Sequence, residues 1–237
     1  PGRRSPAAPC FGTPRLLHCG TGVPISPMMS NAPSISPLPS AWPCACAERR
    51  CGPGRPRAYD PDCALAALTQ VFREQGYEAT SVEDLISAAG LSRSSFYNAY
   101  GSKRGAMLAA LQRWCDGHRA GLRALALPQD PPAVRARAVM DGHFDAEVAS
   151  TGCFIGDAAA ELGARDADVE AIVTNHRDRL VEDFAALAAP LVGQAAAPER
   201  ARAAYALALG AGVMRKSGAS AEAVEGLRRE ARKLLGA

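Results

Sequence analysis

Residues 80–103, TSVEDLISAAGLSRSSFYNAYGSK, decide the fold of this chain, because they are patterned as two short helices joined by a tight turn. Ser81 is placed to cap the first helix, and Asp84 three residues later completes a capping box. Gly90 follows where helices often end in a left-handed conformation, and Ser92 is placed to cap the next helix. The spacing predicts a helix-turn-helix, although periodicity alone also allows a plain helical hairpin.

The second helix, predicted from Arg93 to about Ala99, has a surface that suits DNA. Phe96 is its only strong core residue, and its other side chains are small, polar or basic. Small side chains let a helix enter the major groove closely, and Arg and Asn can bond base edges. The candidate DNA contacts on this helix and its cap are Ser92, Arg93, Ser94, Ser95, Tyr97 and Asn98.

Basic residues lie on both sides of these two helices. Ser102 is predicted to cap the following helix, which puts Lys103 at a helix N-terminus, where a cation and backbone N–H groups suit a phosphate. Arg55 and Arg57 precede the first helix of the domain. They form a short arm that either reaches the minor groove or remains a solvated tail.

The stretch at residues 72–111, FREQGYEATSVEDLISAAGLSRSSFYNAYGSKRGAMLAAL, resembles the N-terminal domain of the TetR/AcrR (tetracycline-repressor-type) transcription regulators. The similarity starts near Arg55, is specific through Leu111 and continues more loosely to the C-terminus. It implies that the helix at residues 92–98 reads the major groove and that Thr80, Tyr97 and Lys103 hold phosphates. It also implies a helical body that binds a small-molecule effector and forms a dimer.

The composition favours an all-α fold. Apolar residues make up 48% of the 237 residues, but aromatic residues only 5%, and alanine, leucine, arginine and glutamate dominate the later part. No run of about 18 apolar residues occurs, so no membrane span is expected and the predicted location is cytoplasmic. The net charge of +3 is too small by itself to indicate nucleic acid, so the DNA prediction rests on where the basic residues lie.

The pattern divides the chain into three parts. Residues 1–54 are rich in Pro, Ser, Gly and Cys without helical or strand periodicity, and we predict a disordered extension. Residues 55–101 are predicted as a three-helix helix-turn-helix DNA-binding domain, and residues 102–237 as a helical ligand-binding and dimerisation domain. The helices predicted for the second domain span about residues 102–125, 132–149, 151–162, 166 or 168 to 187, 199–216 and 221–235.

Two helices near the C-terminus carry the predicted dimer interface. The first, from Ala203 to Lys216, has a flat face of small residues, and the second, from Ala221 to Leu235, has an apolar stripe. Two such helices from each of two subunits would form a four-helix interface. Packing within one subunit is the alternative, and the family resemblance favours the homodimer.

The helical body also contains candidates for an effector pocket. They are aromatic, sulfur-containing or titratable side chains, which are typical of small-molecule sites but also occur in ordinary cores. These candidates are Trp114, His118, Met140, His143, Phe144, Cys153, Asp157 and His176. The predicted function is a dimeric repressor of double-stranded, near-palindromic operator DNA, released by an unidentified small molecule and using no cofactor.

Two other functions fit parts of the sequence. Cys115 lies one turn before a histidine and Cys153 near a helix start, and either thiol would make a redox-responsive or electrophile-responsive regulator of the same fold. Asp157, Glu161 and His176 could hold a metal in a helical enzyme. However, no nucleophile elbow, phosphate loop or HExxH motif accompanies them, so no enzyme activity is predicted.

Overall fold

The computed structural model describes residues 59–147 and 153–237, which fold into α-helices joined by short turns, with no strand among them. This architecture confirms the all-α prediction. In chain order the helices of the described residues are α1 (Pro61–Gln75), α2 (Val82–Ala89), α3 (Arg93–Tyr100), α4 (Lys103–Ala124), α5 (Pro132–Glu147), α6 (Phe154–Leu162), α7 (Ala167–Val192), α8 (Ala197–Lys216) and α9 (Ala221–Leu235). The predicted extension at residues 1–54 and the arm residues Arg55 and Arg57 lie outside the described residues.

We call α1–α3 the head and α5–α9 the body. Side-chain caps start the head helices where the sequence predicts them: Asp60 Oδ1 accepts the backbone N–H of Asp62 at 2.8 Å. In the capping box of α2, the Asp84 N–H donates to Ser81 Oγ at 3.1 Å and the Ser81 N–H donates to Asp84 Oδ2 at 2.9 Å. Gly90 ends α2 with φ of +62°, a left-handed conformation that glycine adopts without strain.

One apolar core joins the head to α4 and α6. Its buried side chains include Leu68, Phe72, Leu85 and Phe96 from the head, Leu111 from α4 and Ile155 from α6. Because close-packed interiors deform little, a shift of α4 or α6 is expected to move the head with it.

A second core lies among α5, α7, α8 and α9. The α8 helix enters this core through a row of alanines, which let its backbone lie close to its neighbours. The buried alanines of α8 are Ala197, Ala201, Ala204, Ala208 and Ala211. Larger side chains from the facing helices, including Phe144 of α5 and Phe184 of α7, fill the space between them.

The end of α7 differs from the sequence prediction. The helix continues to Val192 rather than ending near Leu187, although Pro190 lies in its last turn. A proline removes one backbone hydrogen bond of a helix. Ala188 is fully buried, and Leu191 packs against the second core together with the last helical residue. Burial of these side chains therefore outweighs the single lost bond.

Two helices begin at residues other than those predicted from the sequence. α8 begins at Ala197 rather than Glu199, because Pro198 is tolerated in the first turn, where a backbone N–H has no helical partner. α6 begins at Phe154 with Cys153 as its cap, and its predicted opening residues 151–152 lie outside the described residues. Among the helices of the described ranges, none is long and apolar enough to cross a membrane.

Gly105, in the first turn of α4, is required by the close approach of the preceding turn. A Cβ atom at this position would overlap the backbone oxygen of Tyr100. We expect Gly105→Ala to lower the free energy of unfolding by about 1–3 kcal/mol, as forced overpacking does. Chemical denaturation measures this loss.

The matched control is Gly226→Ala on α9. The added methyl group would meet only the end of the Arg229 side chain, at 3.8 Å. Stability should therefore be unchanged or raised by up to about 1 kcal/mol, since alanine is the better helix former. Equal losses in the two variants would contradict the role given to Gly105.

Candidate functional site

The α3 helix presents a polar face to solvent and is fixed to the protein by one aromatic side chain. Phe96 is fully buried, and Tyr97 packs edge-on against it with ring centroids 5.5 Å apart while remaining 42% exposed. Ser95 is half-buried, and its N–H donates to Ser92 Oγ at 3.1 Å, which caps the helix. The exposed side chains, which we call the α3 face, are Ser92, Arg93, Ser94, Tyr97 and Asn98.

Arg93 is held on the α3 face by an ion pair with Glu83 of α2. Both side chains are about two-thirds exposed, at 65% and 64%. Exposed ion pairs contribute only about 0–1 kcal/mol, so little energy is needed to exchange this carboxylate for a base edge. The ion pair therefore orients Arg93 but leaves its guanidinium able to exchange Glu83 for a base edge.

Lys103 has a role that the sequence did not predict. Its Nζ donates to the backbone oxygens of Tyr77 at 2.8 Å, Thr80 at 2.9 Å and Glu78 at 3.4 Å. The ammonium also lies 4.3 Å from the ring centroid of Tyr77. An ammonium has three donors, and all three are directed at the loop between α1 and α2. A phosphate at this position would have to share or replace these bonds.

Thr80 is the predicted DNA contact that the structure supports least. Its side chain is 1% exposed, and its hydroxyl donates to the backbone oxygen of Gly76 at 2.5 Å. The hydroxyl closes the α1–α2 loop from inside rather than facing solvent. The phosphate contact expected from its side chain is therefore corrected to a structural one.

Glu161 of α6, in the body, binds the same loop between α1 and α2. One of its carboxylate oxygens accepts the backbone N–H of Tyr77 at 2.7 Å and that of Glu78 at 3.3 Å. At Gly76 an added Cβ would overlap the other oxygen of this carboxylate, so the loop approaches Glu161 through its smallest residue. The sequence predicted Glu161 only as a possible metal ligand, because the 83 to 84 residue separation of these contacts leaves no local pattern.

Arg104 forms a second bridge between the start of α4 and the body. Its guanidinium donates to the two oxygens of Asp166 at 2.6 and 2.7 Å and to Asp168 at 2.6 Å. The hydrogen bonds from Arg104 hold the pKa of Asp166 below its usual range. Asp166 also caps α7, so this cluster fixes the start of α7 to the start of α4.

Three of the predicted pocket residues form a chain of imidazoles, which we call the histidine chain. His143 Nδ1 lies 3.5 Å from His118 Nε2, and His118 Nδ1 lies 3.3 Å from His176 Nε2. The side chains of all three are buried. Burial lowers the pKa of His143 to about 3 and that of His176 to about 4, and it lowers the pKa of His118 too. The three rings are therefore neutral near pH 7.

Aromatic rings enclose the histidine chain. The Trp114 ring centroid lies 4.6 Å from that of His118, and Tyr205 stacks on His143 at 5.5 Å. Met140 and Phe144 are fully buried in the second core. The structure thus places Trp114 beside the histidine chain, whereas Met140 and Phe144 pack within the second core.

Glu147 is a buried carboxyl group that the sequence did not single out. It lies one turn after His143 on α5, it is 2% exposed, and its Oε2 has no hydrogen bond within the described residues. Burial raises its pKa to about 7, and the thiol of Cys153 lies close to it. A glutamate in the last turn of a helix is usually exposed, so the pattern gave no signal.

Asp157 is the remaining pocket candidate, and it lies near enough to act on Glu147 and Cys153. Asp157 pairs with Lys216 of α8 at 2.5 Å, and both side chains are more than a third exposed. Glu161 bonds the head and His176 belongs to the histidine chain. The metal set that the sequence allowed is therefore not assembled, and no group of metal-ligating side chains occurs within the described residues.

Part of the chain is similar in sequence to known proteins. Residues 64–110 match the profile described as bacterial regulatory proteins, tetR family. The uncharacterized HTH-type transcriptional regulator YezE of Bacillus subtilis is 39% identical over 69 residues, which cover 29% of this chain and 36% of YezE. The HTH-type transcriptional repressor ComR of Escherichia coli is 29% identical over 120 residues, covering 49% of this chain and 57% of ComR. The chain thus spans about a third to just over half the length of these relatives.

Solved structures match over a larger share. SCO4454, a TetR-family transcriptional regulator from Streptomyces coelicolor, superposes with a TM-score of 0.66 at 21% identity, covering 73% of this chain and 93% of that one. A cysteine mutant of the TetR-family regulator CifR, complexed with 26-bp double-strand operator DNA, gives 0.64 at 22% identity, covering 76% and 98%. At such identities the likeness is one of fold. These proteins are transcription regulators, as the sequence predicts, rather than enzymes.

The histidine chain predicts a loss of stability in mild acid. Below a pH of about 6.5 the unfolded histidines take up protons, while the folded ones, with lowered pKa values, do not. The free energy of unfolding should therefore fall between pH 7 and pH 5, by up to about 1.4 kcal/mol per pH unit for each histidine. Urea denaturation at pH 7, 6 and 5 measures the slope.

Glu147 has the opposite effect on how the free energy of unfolding depends on pH. Its pKa is raised to about 7, so the folded state takes up its proton first and gains stability as the pH falls toward 4.5. Three histidines outweigh one carboxyl group, and stability should still fall on balance. His143→Gln should flatten the slope between pH 6 and pH 5, and an unchanged slope would rule out this origin.

Proposed function

This chain belongs to the TetR family of bacterial regulatory proteins, and we propose that it acts as a dimeric, DNA-binding repressor. A small-molecule effector would release it from a near-palindromic operator. The observation that carries the DNA-binding part is the α3 face, a row of exposed small, polar and basic side chains on a short helix anchored by Phe96. The CifR complex with operator DNA supports the same use of this fold.

The α3 face divides into two kinds of contact in this proposal. Arg93 and Asn98 carry the donors and acceptors that read base edges. Tyr97, exposed beside them, and Ser92 and Ser94 bond phosphates. Lys103 supports the site indirectly, because its ammonium fixes the loop between α1 and α2.

The effector would act through α6. At its start, Cys153 caps the helix and lies close to Glu147, next to the histidine chain on α5. At its other end, Glu161 holds the backbone of the α1–α2 loop. The helix has only nine residues. A ligand that displaces its start would therefore also displace Glu161 near its end and, with it, the α1–α2 loop of the head.

The dimer proposal rests on the exposed side of α8. Ala203, Ala206, Gly210 and Val213 lie on it, and Val213 is 65% exposed, the largest exposure among the large hydrophobic residues of the described chain. Small residues let two helices approach closely. The apolar stripe of α9 contributes less than the sequence implies, because Val224, Ala231 and Leu235 are buried within the same chain.

Geometry favours a ligand over a thiol signal. Cys115 and Cys153 are both buried, and burial raises the pKa of Cys115 to about 12 and that of Cys153 as well. A thiol must ionise and be accessible to react. The sequence suggested that a neighbouring histidine and a helix start would favour the thiolates, but desolvation outweighs both effects. The thiol-responsive alternative is therefore the weaker proposal.

The first test concerns Arg93. We expect Arg93→Ala to cost about 1–3 kcal/mol of operator affinity and to relax the preference at one base position in each half-site. Binding to a panel of single-base operator mutants measures both effects. Glu83→Gln is the control, because it frees Arg93 without removing it and should leave the base preference unchanged. A uniform loss across all operator mutants would make Arg93 a phosphate contact instead.

The second test concerns the dimer. Gly210→Glu would place charges across the proposed interface, and an unpaired buried charge is strongly destabilising, so sedimentation should detect monomers. Nothing lies within 4 Å of the added Cβ in the single chain, so the fold should survive, as circular dichroism can verify. Ala120→Glu on the exposed side of α4 is the control for added charge. Dimers that persist in Gly210→Glu would exclude this face.

A further inference from the structure

A cavity of about 280 Å³ lies between α4 and α7, at the outer end of the histidine chain. Its walls are mostly polar, and Cys115 and Ile172 are the two apolar lining residues. Gln112, Asp116 and Arg119 come from α4, and Asn175, His176 and Arg179 come from α7. An apolar occupant would desolvate these groups without bonding them, so the cavity suits a small hydrophilic molecule.

Most of the charges around this cavity are paired. Arg119 and Arg123 share the carboxylate of Asp183, at 2.7 and 3.1 Å. Asp116 accepts from the Gln112 amide at 3.1 Å. Glu182 also lies close enough to act on Arg119, so three carboxylates balance the three guanidinium groups once Arg179 is included.

Arg179 is the cation available to an occupant. Its Nε donates to Asn175 Oδ1 at 2.8 Å, and it forms no ion pair with any described residue. A guanidinium keeps further donors in a planar fork that matches a carboxylate. The cavity therefore favours an anion over a neutral or cationic molecule.

His176 supplies a second donor from inside the cavity. It is 5% exposed, its Nε2 faces His118, and its Nδ1 makes no hydrogen bond with a described residue. A neutral imidazole has one N–H and one lone pair. This Nδ1 nitrogen therefore has no partner among the described residues, and its side chain lines the same cavity as Arg179.

The histidine chain links this nitrogen to the rest of the body. If His176 Nδ1–H donates to an anion, its Nε2 must accept, so His118 carries its proton on Nδ1. His118 Nε2 then accepts from His143 Nδ1–H, and His143 Nε2, which has no partner within the described residues, becomes a bare acceptor. An anion in the cavity thus selects one tautomer for all three rings, as far as α5.

We propose that this cavity binds a small hydrophilic monocarboxylate, held by Arg179 and by the Nδ1–H of His176. The part of this inference that makes the carboxylate the effector rests on the proposed repressor function. The binding itself does not, and it is measured without DNA.

Calorimetric titration of the full chain with lactate, and with its uncharged analogue lactamide, tests the charge requirement. Lactate should bind at least about tenfold more tightly than lactamide, since hydrogen bonds to charged groups are the stronger ones. Arg179→Gln should weaken lactate by about tenfold for the same reason. Arg137→Gln on the exposed side of α5 removes the same charge elsewhere and should change affinity by less than about twofold. Absent lactate binding, equal affinity for both probes, or equal effects of the two variants would overturn the proposal.

Nitrogen NMR of the histidines in the lactate complex tests the geometry. The chain has only four histidines, so the signals can be assigned by substitution. His176, His118 and His143 should all carry their protons on Nδ1 in the complex, an outcome that a merely structural chain does not require. A proton on Nε2 of His176 would exclude the proposed bond.

Operator binding, measured with and without lactate, separates the binding of lactate from its effect on DNA binding. Weaker operator binding with lactate, lost in Arg179→Gln but kept in Arg137→Gln, is the expected result. Lactate binding that leaves operator affinity unchanged would refute the effector role of this site. A chain that binds lactate but no DNA at all would refute the proposed function instead.

Discussion

The loop between α1 and α2 is held by two opposite charges, and the position of the head depends on this clasp. Lys103 of α4 donates to its carbonyl groups from one side, and Glu161 of α6 accepts its N–H groups from the other. Hydrogen bonds to charged groups contribute about 1.5–3 kcal/mol each, more than neutral ones. The polar backbone of the loop is thus satisfied by side chains rather than by water. Because α4 and α6 also share the first core with the head, both polar and apolar contacts fix it to the same two helices.

The clasp explains why the sequence and the structure assign different roles to Lys103. From sequence, Lys103 is a cation at a helix start and therefore a phosphate ligand. In the folded chain the same ammonium lies over the Tyr77 ring with its donors directed at backbone oxygens. The two uses are compatible only if a phosphate approaches from the solvent side and replaces one of the three bonds. The weakest of them, to Glu78 at 3.4 Å, is the one most easily replaced.

Local patterns were read correctly where a few neighbouring residues determine the structure. Ser81, Asp84, Gly90 and Ser92 carry the helix-turn-helix because capping and left-handed glycine act within three or four residues. Contacts between distant segments gave no such pattern. The histidine chain joins residues 25 and 58 positions apart, and Arg104 meets Asp166 62 positions away. Sequence identified the histidines as candidates, but only the packing of α4, α5 and α7 brings their rings into one line.

The two buried polar regions of this protein differ in whether their polar atoms have hydrogen-bond partners. The region with unpartnered atoms is the one that we expect to rearrange. Around the α1–α2 loop, each bonding group of Lys103 and the contacting oxygen of Glu161 have partners, which favours a rigid connection. In the body, His143 Nε2 and Glu147 Oε2 are buried without a hydrogen bond among the described residues. A buried polar atom without a partner costs about 1–3 kcal/mol, so any rearrangement or ligand that supplies a partner is favoured by a similar amount. Because α6 begins beside Glu147 and ends at the rigid clasp, a change at the unsatisfied end is transmitted to the head through a single helix.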